Sequence, residues 1–184
     1  KELGKGRSTG IASSVMVYGV WDSDRASKNH IDSIVRVSRN QVIWGGNYYS
    51  DMLPPSMGWL VWFKRDGLPT RSYADAELAW TSFDRAARVL SLRWDGFIRD
   101  TKEPRNGHPT EKPLELMRWC IELTTKQGDT VFDPFMGSGT TGVACMQLGR
   151  NFIGCEIDPT YYAIAERRIR DAAAQPALFT LDAP

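Results

Sequence analysis

Two acids and a run of glycine and hydroxyl residues form the chemistry-bearing group of this sequence. Asp133 closes the apolar pair Val131-Phe132, and Pro134-Phe135-Met136-Gly137-Ser138-Gly139-Thr140-Thr141-Gly142 follows at once. A second acid, Glu156, closes the segment Asn151 to Cys155. Gly137 and Gly139 have no Cβ and tolerate positive φ, so the backbone there can pass close beneath a ligand. A helix beginning just after them directs unpaired N–H groups at anything anionic. An acid one strand-helix-strand unit further on is placed to accept hydrogen bonds from ribose hydroxyls. The group therefore reads as a binding site for a nucleotide-like ligand. The rival is a phosphate-binding loop, which requires a Lys after its last glycine. Thr140 and Thr141 stand there instead. Asp133 is costly to bury without a partner, whereas Ser138 and Thr140 could also cap the helix, a role compatible with binding.

These residues need elements to hold them. Val131 to Asp133 reads as a buried strand after Gly128-Asp129, with a helix over Val143 to Leu148 and a second strand over Asn151 to Cys155. Asp158-Pro159 supplies a cap and a first-turn proline for a last helix, whose Tyr162, Ala165, Ile169 and Ala172 share one face; a surface strap is expected from Gln175. Upstream, Pro113 opens a helix within Lys112 to Lys126, with Leu116, Met117, Cys120, Ile121 and Thr124 on one side. From Arg25 to Arg39, Ile31, Ile34, Val35 and Ser38 recur at helical spacing. Gln41 to Trp44 and Gly58 to Lys64 read as strands, with a short helix capped by Asn47 running to Leu53 between them. Pro54-Pro55 ends that helix as turn chemistry. Glu77 to Phe83 and Val89 to Trp94 read as an edge hairpin, and Asp95 to Gly107 as a charged loop. The expected fold is α/β: an open, doubly wound, mostly parallel sheet of the Rossmann-like type with an antiparallel edge.

Composition sets bounds on partners. The chain has 184 residues, of which 42% are hydrophobic, enough for one domain with a real core. No apolar run approaches a bilayer span and no signal peptide is visible, so no membrane role and a cytoplasmic or nucleoid location are expected. The three cysteines, Cys120, Cys145 and Cys155, lie in apolar patterns without metal-ligand spacing, which predicts buried thiols and no metal. Net charge is only +1, so any nucleic-acid affinity must come from a local patch. The candidate runs from Arg85 to Arg105, with Arg88, Arg93, Arg99, Lys102 and Arg105 set against Asp95, Asp100 and Glu103; a solvated mixed-charge surface is the other reading.

Asp-Pro-Phe-Met-Gly-Ser-Gly-Thr-Thr, followed by Phe152-Ile153-Gly154-Cys155-Glu156-Ile157-Asp158, resembles the S-adenosylmethionine site of the amino DNA methyltransferases, which methylate adenine N6 or cytosine N4. The likeness is to the permuted group, phage-borne members included, with the cofactor motif near the C-terminus. His108-Pro109-Thr110-Glu111-Lys112-Pro113 matches a further motif of that group.

The resemblance implies S-adenosylmethionine as cofactor, double-stranded DNA as partner, and adenine N6 ahead of cytosine N4 as target. It leaves oligomeric state open, a homodimer included. It implies that Asp133 pairs with the cofactor's ammonium or holds the loop, that Pro134 and Phe135 belong to the same wall, with Phe135 packing on the cofactor, and that Thr140 bonds its carboxylate. Glu156 would fix the ribose and Ile157 pack on the adenine, while His108, Thr110 and Lys112 close the other side; His108 and Lys112 could equally be plain loop residues. Residues 1–184 would be one methyltransferase domain, with 95–107 as a short target-recognition loop. The family's Asp-Pro-Pro-Tyr motif is not among these residues; by the resemblance Lys1 would stand just downstream of it, and whether a parent chain carries it separates the methyltransferase reading from a non-catalytic module. Rival readings are a non-catalytic DNA- or cofactor-binding module on the same scaffold, and a methyltransferase for RNA or protein.

Overall fold

The computed structural model describes residues 25–69, 72, 74–95, 98–103 and 111–175. Its elements in order are α1 (Lys28–Val37), β1 (Val42–Trp44), β2 (Leu60–Phe63), β3 (Ala76–Thr81), β4 (Arg88–Ser91), β5 (Trp94–Asp95), β6 (Ile98–Arg99), α2 (Leu114–Thr124), β7 (Thr130–Asp133), α3 (Thr140–Gln147), β8 (Asn151–Gly154) and α4 (Pro159–Ala174).

The first sheet has the order β1-β3-β2-β4. β3 lies antiparallel between β1 and β2, while β4 runs parallel to β2. Alternation in β2 turns Leu60 and Trp62 inward, where with Ala79, Leu92, Leu116 and Cys120 they form a core against α2. The Trp62 indole donates to the Leu92 carbonyl at 2.9 Å, so its one polar atom is satisfied in the interior. On the other face Ile31 of α1 packs with Leu53 and Trp80. This sheet is therefore covered on both faces.

The second sheet is the parallel pair β7–β8, with Asp133 opposite Gly154. Ile121 of α2 and Ala144 and Cys145 of α3 pack on Val131 and Phe152. Helix α3 also packs against α4. Helix α2 thus serves both sheets: Leu116 and Cys120 point to the first and Ile121 to the second. Its spacing of apolar residues wraps around the helix, as a helix buried between two layers requires. The α/β architecture is as the sequence predicts.

Local expectations are corrected in four places. β3 and β4 do not form a hairpin; each pairs with β2, one antiparallel and one parallel, because the partner strand lies earlier in the chain. The segment read as a charged loop from Asp95 opens instead in a small antiparallel pair, Trp94 opposite Arg99. Asn47 does not cap the short helix before Leu53; a 3-10 turn over Gly46–Tyr49 starts from Gly45 at φ 72°. Cys120 and Cys145 are buried, but Cys155 is exposed. Pro54 and Pro55 fall in irregular chain before β2, where the Pro54 carbonyl accepts the Trp80 indole N–H at 2.9 Å.

Candidate cofactor site

Parallel strands deliver their carboxyl ends to the same side of a sheet, so Asp133 and Glu156 meet there. The chain turns through Pro134 and Phe135, and the Phe135 N–H donates to Asp133 Oδ1 at 3.0 Å. Thr141 donates its hydroxyl to Asp133 Oδ2 at 2.6 Å. Burial pushes the Asp133 carboxyl above its ordinary range, and these two donors with the Lys112 ammonium act against that push. Of the two roles expected for Asp133, holding the loop is therefore visible in its bonds.

Gly137, at φ 52°, donates its N–H to Glu156 Oε2 at 2.9 Å. Glu156 Oε1 accepts the Asp158 N–H at 2.9 Å. Asp158 in turn caps α4, accepting from the N–H groups of Thr160 and Tyr161. One carboxylate thus ties the glycine loop to the start of the next helix, and each oxygen keeps a further lone-pair direction for another donor. Gly139 takes φ 81° as the residue before α3, and a Cβ there would lie 2.8 Å from that of Ala165. Its lack of a side chain is demanded by the α3–α4 contact as well as by the turn.

Ser138 and Thr140 are buried, and neither caps α3. Both hydroxyls face a charge pair that the sequence reading did not assign. Arg168 Nη1 lies 3.1 Å from Glu111 Oε1, with side-chain exposures of 17% and 8%. The same guanidinium nitrogen donates to the Ser138 carbonyl at 2.6 Å and to its hydroxyl at 2.9 Å. Ser138 donates to Glu111 Oε1 at 3.2 Å, and Thr140 lies 3.5 Å from that oxygen. The pair fastens the loop from beneath. Arg168 was hidden among the charges of a helix, Glu166-Arg167-Arg168-Ile169-Arg170-Asp171, where nothing local names its partner. Glu111 lies in the His-Pro-Thr-Glu-Lys-Pro motif, and its position between His108 and Pro113 was the available signal.

Above the loop the surface is apolar and open. Phe135 is 62% exposed and Ile157 is 93% exposed. His30 of α1 meets the Phe135 ring edge-on, with centroids 6.4 Å apart. The structure thus brings together Asp133, Pro134, Phe135, Gly137, Ser138, Gly139, Thr140, Glu156 and Ile157. Lys112 points elsewhere, to Glu77 Oε2 at 3.1 Å. His108, Thr110 and Arg105 lie outside the described residues.

The basic residues do not make one free patch. Arg93 is held by Asp100 at 2.8 Å, which keeps the Asp100 carboxyl below its usual range through bonds from the Arg93 N–H and side chain. Arg99 stacks its guanidinium 4.6 Å over the Trp94 ring. Arg88 begins β4 beside Leu60, and its side chain donates to the Ala87 carbonyl at 3.2 Å. Lys102 is exposed. Among the described residues there is no group of three or more His, Cys, Asp or Glu suited to a metal ion, and no helix is long and apolar enough to cross a membrane.

A glycine loop anchored to acids at the ends of two parallel strands has counterparts among known proteins. The N6 and N4 family model described as DNA methylase matches residues 22–167. The chain belongs to the N6/N4 DNA methylase family. Its relatives include the type II methyltransferase M2.LlaDCHI of Lactococcus lactis subsp. cremoris, 35% identical over 115 residues, covering 62% of this chain and 42% of that one. The type II methyltransferase M2.DpnII of Streptococcus pneumoniae is 36% identical over 111 residues, covering 60% of this chain and 41% of its own. The chain therefore spans well under half the length of these two relatives. Among solved structures, the M1.HpyAVI–SAM complex superposes with a TM-score of 0.54 at 33% identity, covering 71% of this chain and 74% of that one. The cytosine-N4-specific PvuII DNA methyltransferase, at 18% identity and a TM-score of 0.50, shares the fold.

Proposed function

We propose that this chain forms the cofactor half of an S-adenosylmethionine-dependent DNA methyltransferase whose target is an exocyclic amine, adenine N6 first and cytosine N4 as the alternative. The observation that carries the proposal is the link from Asp133 through the glycine loop to Glu156 at the carboxyl ends of β7 and β8. The cofactor supplies an electrophilic methyl group on a sulfonium. The donor set suits it: Glu156 keeps acceptor directions for ribose hydroxyls, the loop backbone is held open by Gly137, and Phe135 and Ile157 offer apolar surface to the adenine. The work of these residues is to bind and orient, which for a transfer between two bound partners supplies much of the rate.

The family membership and the type II relatives support DNA as the second partner, in the cytoplasm of a bacterial or phage-infected cell. Arg88, Arg93 and Lys102 are exposed basic residues proposed to meet its backbone, with Arg99 in β6 close by and Arg105 further on in the chain. The short 95–107 segment is proposed as the target-recognition loop, and residues 1–184 as parts of one methyltransferase domain. His108, Thr110 and Lys112 are proposed to close the pocket.

Calorimetric titration of S-adenosylmethionine into this chain tests the reading. We expect saturable binding that the Asp133→Ala, Glu156→Ala double variant abolishes while retaining its helical circular dichroism. Binding that survives both changes would sink the assignment of this loop.

A further inference from the structure

The first sheet carries none of the loop residues, yet a charged group of β3 holds Lys112, the residue next to the Glu111 that touches the loop. Glu77, the second residue of β3, lies opposite Trp62 near the carboxyl end of β2. Its two oxygens are divided between two ammonium groups, Lys64 Nζ at 3.1 Å from Oε1 and Lys112 Nζ at 3.1 Å from Oε2. Each ammonium also stands over an indole, Lys64 at 5.7 Å from the Trp62 ring and Lys112 at 5.6 Å from the Trp44 ring. The two rings meet edge to face at 84°. Lys112 is the neighbour in sequence of Glu111, whose carboxylate touches Ser138 of the loop. Its ammonium is near enough to Asp133 to draw that carboxyl downward.

An ammonium on the residue next to Glu111, on the flank of the loop, competes with a cationic ligand for the loop's acids. S-adenosylmethionine carries one more positive charge than S-adenosylhomocysteine, because the product has lost the sulfonium. Resting on the cofactor reading above, the geometry points to Glu77 as a positioning residue that holds and neutralises Lys112, leaving the acids of the glycine loop free for the cationic cofactor. Glu77 thereby sets the preference of the site for S-adenosylmethionine over S-adenosylhomocysteine. Burial works against the charge on Glu77, and Lys112 and Lys64 outweigh it, holding the carboxyl below its ordinary range.

The test compares the dissociation constants of both ligands by calorimetry for the wild-type chain, Glu77→Gln, Lys112→Met and the double variant. Glu77→Gln preserves shape and removes one negative charge. At the effective dielectric of a protein surface, an uncompensated charge roughly 10 Å away changes relative affinity by roughly ten- to twentyfold before screening by salt. We expect Glu77→Gln to lower the preference for S-adenosylmethionine by that factor, added salt to shrink the change, and Lys112→Met in the same chain to restore the preference. An equal loss for both ligands would mean a structural role and overturn the inference, as would an unchanged ratio. Failure of the wild-type chain to bind either ligand would instead overturn the cofactor reading beneath it.

Discussion

The two sheets of this chain are built to different rules. The sheet β1-β3-β2-β4 is packed on both faces, by α2 over Leu60 and Trp62 and by α1 over Trp80. Among the described residues the pair β7–β8 is packed on one: Val131 and Phe152 face the helices, while Phe132 and Ile153 on the opposite face are 37% and 56% exposed. The first sheet holds the large buried aromatics, and the second holds the glycines, hydroxyls and acids. The contrast shows a division of labour. Stability is drawn from a two-sided core, and the half that carries the glycine loop is held in shape by hydrogen bonds, by α3 and by α2, the wall common to both.

The sharpest way to break that comparison is to remove matched aromatics. Trp62→Ala deletes a fully buried ring and is expected to cost about 3–5 kcal/mol in urea unfolding, whereas Phe132→Ala on the open face should cost a small fraction of that. Equal losses would mean that the second sheet is as well packed as the first. A smaller effect is expected at the clasp beneath the loop. Arg168→Met leaves the buried Glu111 carboxylate without its cation and should cost about 3 kcal/mol. Adding Glu111→Gln should recover most of it, and a double variant as unstable as the sum of the singles would show that the two act separately.

The smallest effect is in pH dependence, where the two halves should have opposite signs. Glu77 has a lowered carboxyl pKa, so it binds fewer protons folded than unfolded near its titration; its stabilisation is present above the unfolded value and is lost as pH falls through the folded one. Asp133 has a raised pKa, and the folded chain binds the extra proton, so its contribution falls as pH rises from the ordinary carboxylate range through the raised value. Melting temperatures taken between about pH 3 and pH 7 should therefore rise less steeply with pH in Glu77→Gln than in wild type. In Asp133→Asn they should rise more steeply. Curves parallel to wild type would remove both assignments.

What was legible in the sequence follows the same division. The second sheet is written in consecutive residues: strand, loop, helix, strand, acid and capped helix lie within 131–174 in their order of contact, so local pattern sufficed. The first sheet depends on pairings across the chain. Nothing in Glu77 to Phe83 or Val89 to Trp94 says that each prefers β2 to the other, and the shorter connection suggested a hairpin. At the site, backbone-directed residues such as Gly137 and Asp158 were legible because their roles are local. Arg168 and Glu77 were not, because a charge on a helix or a strand declares its partner only when another element is brought against it.

The exposure of Cys155 has a practical consequence. Burial pushes the Cys120 thiol up to about 12, and burial with the nearby Asp133 charge does the same for Cys145, so neither offers a thiolate to a reagent near neutrality. Cys155 stands on the surface between β8 and Glu156, and its carbonyl accepts the Met136 N–H at 3.0 Å. Among the described residues it is the thiol open to attack, so the native chain carries its own attachment point for a maleimide dye. A fluorophore placed there would sit beside the glycine loop and report on ligand arrival in real time, without any engineered cysteine.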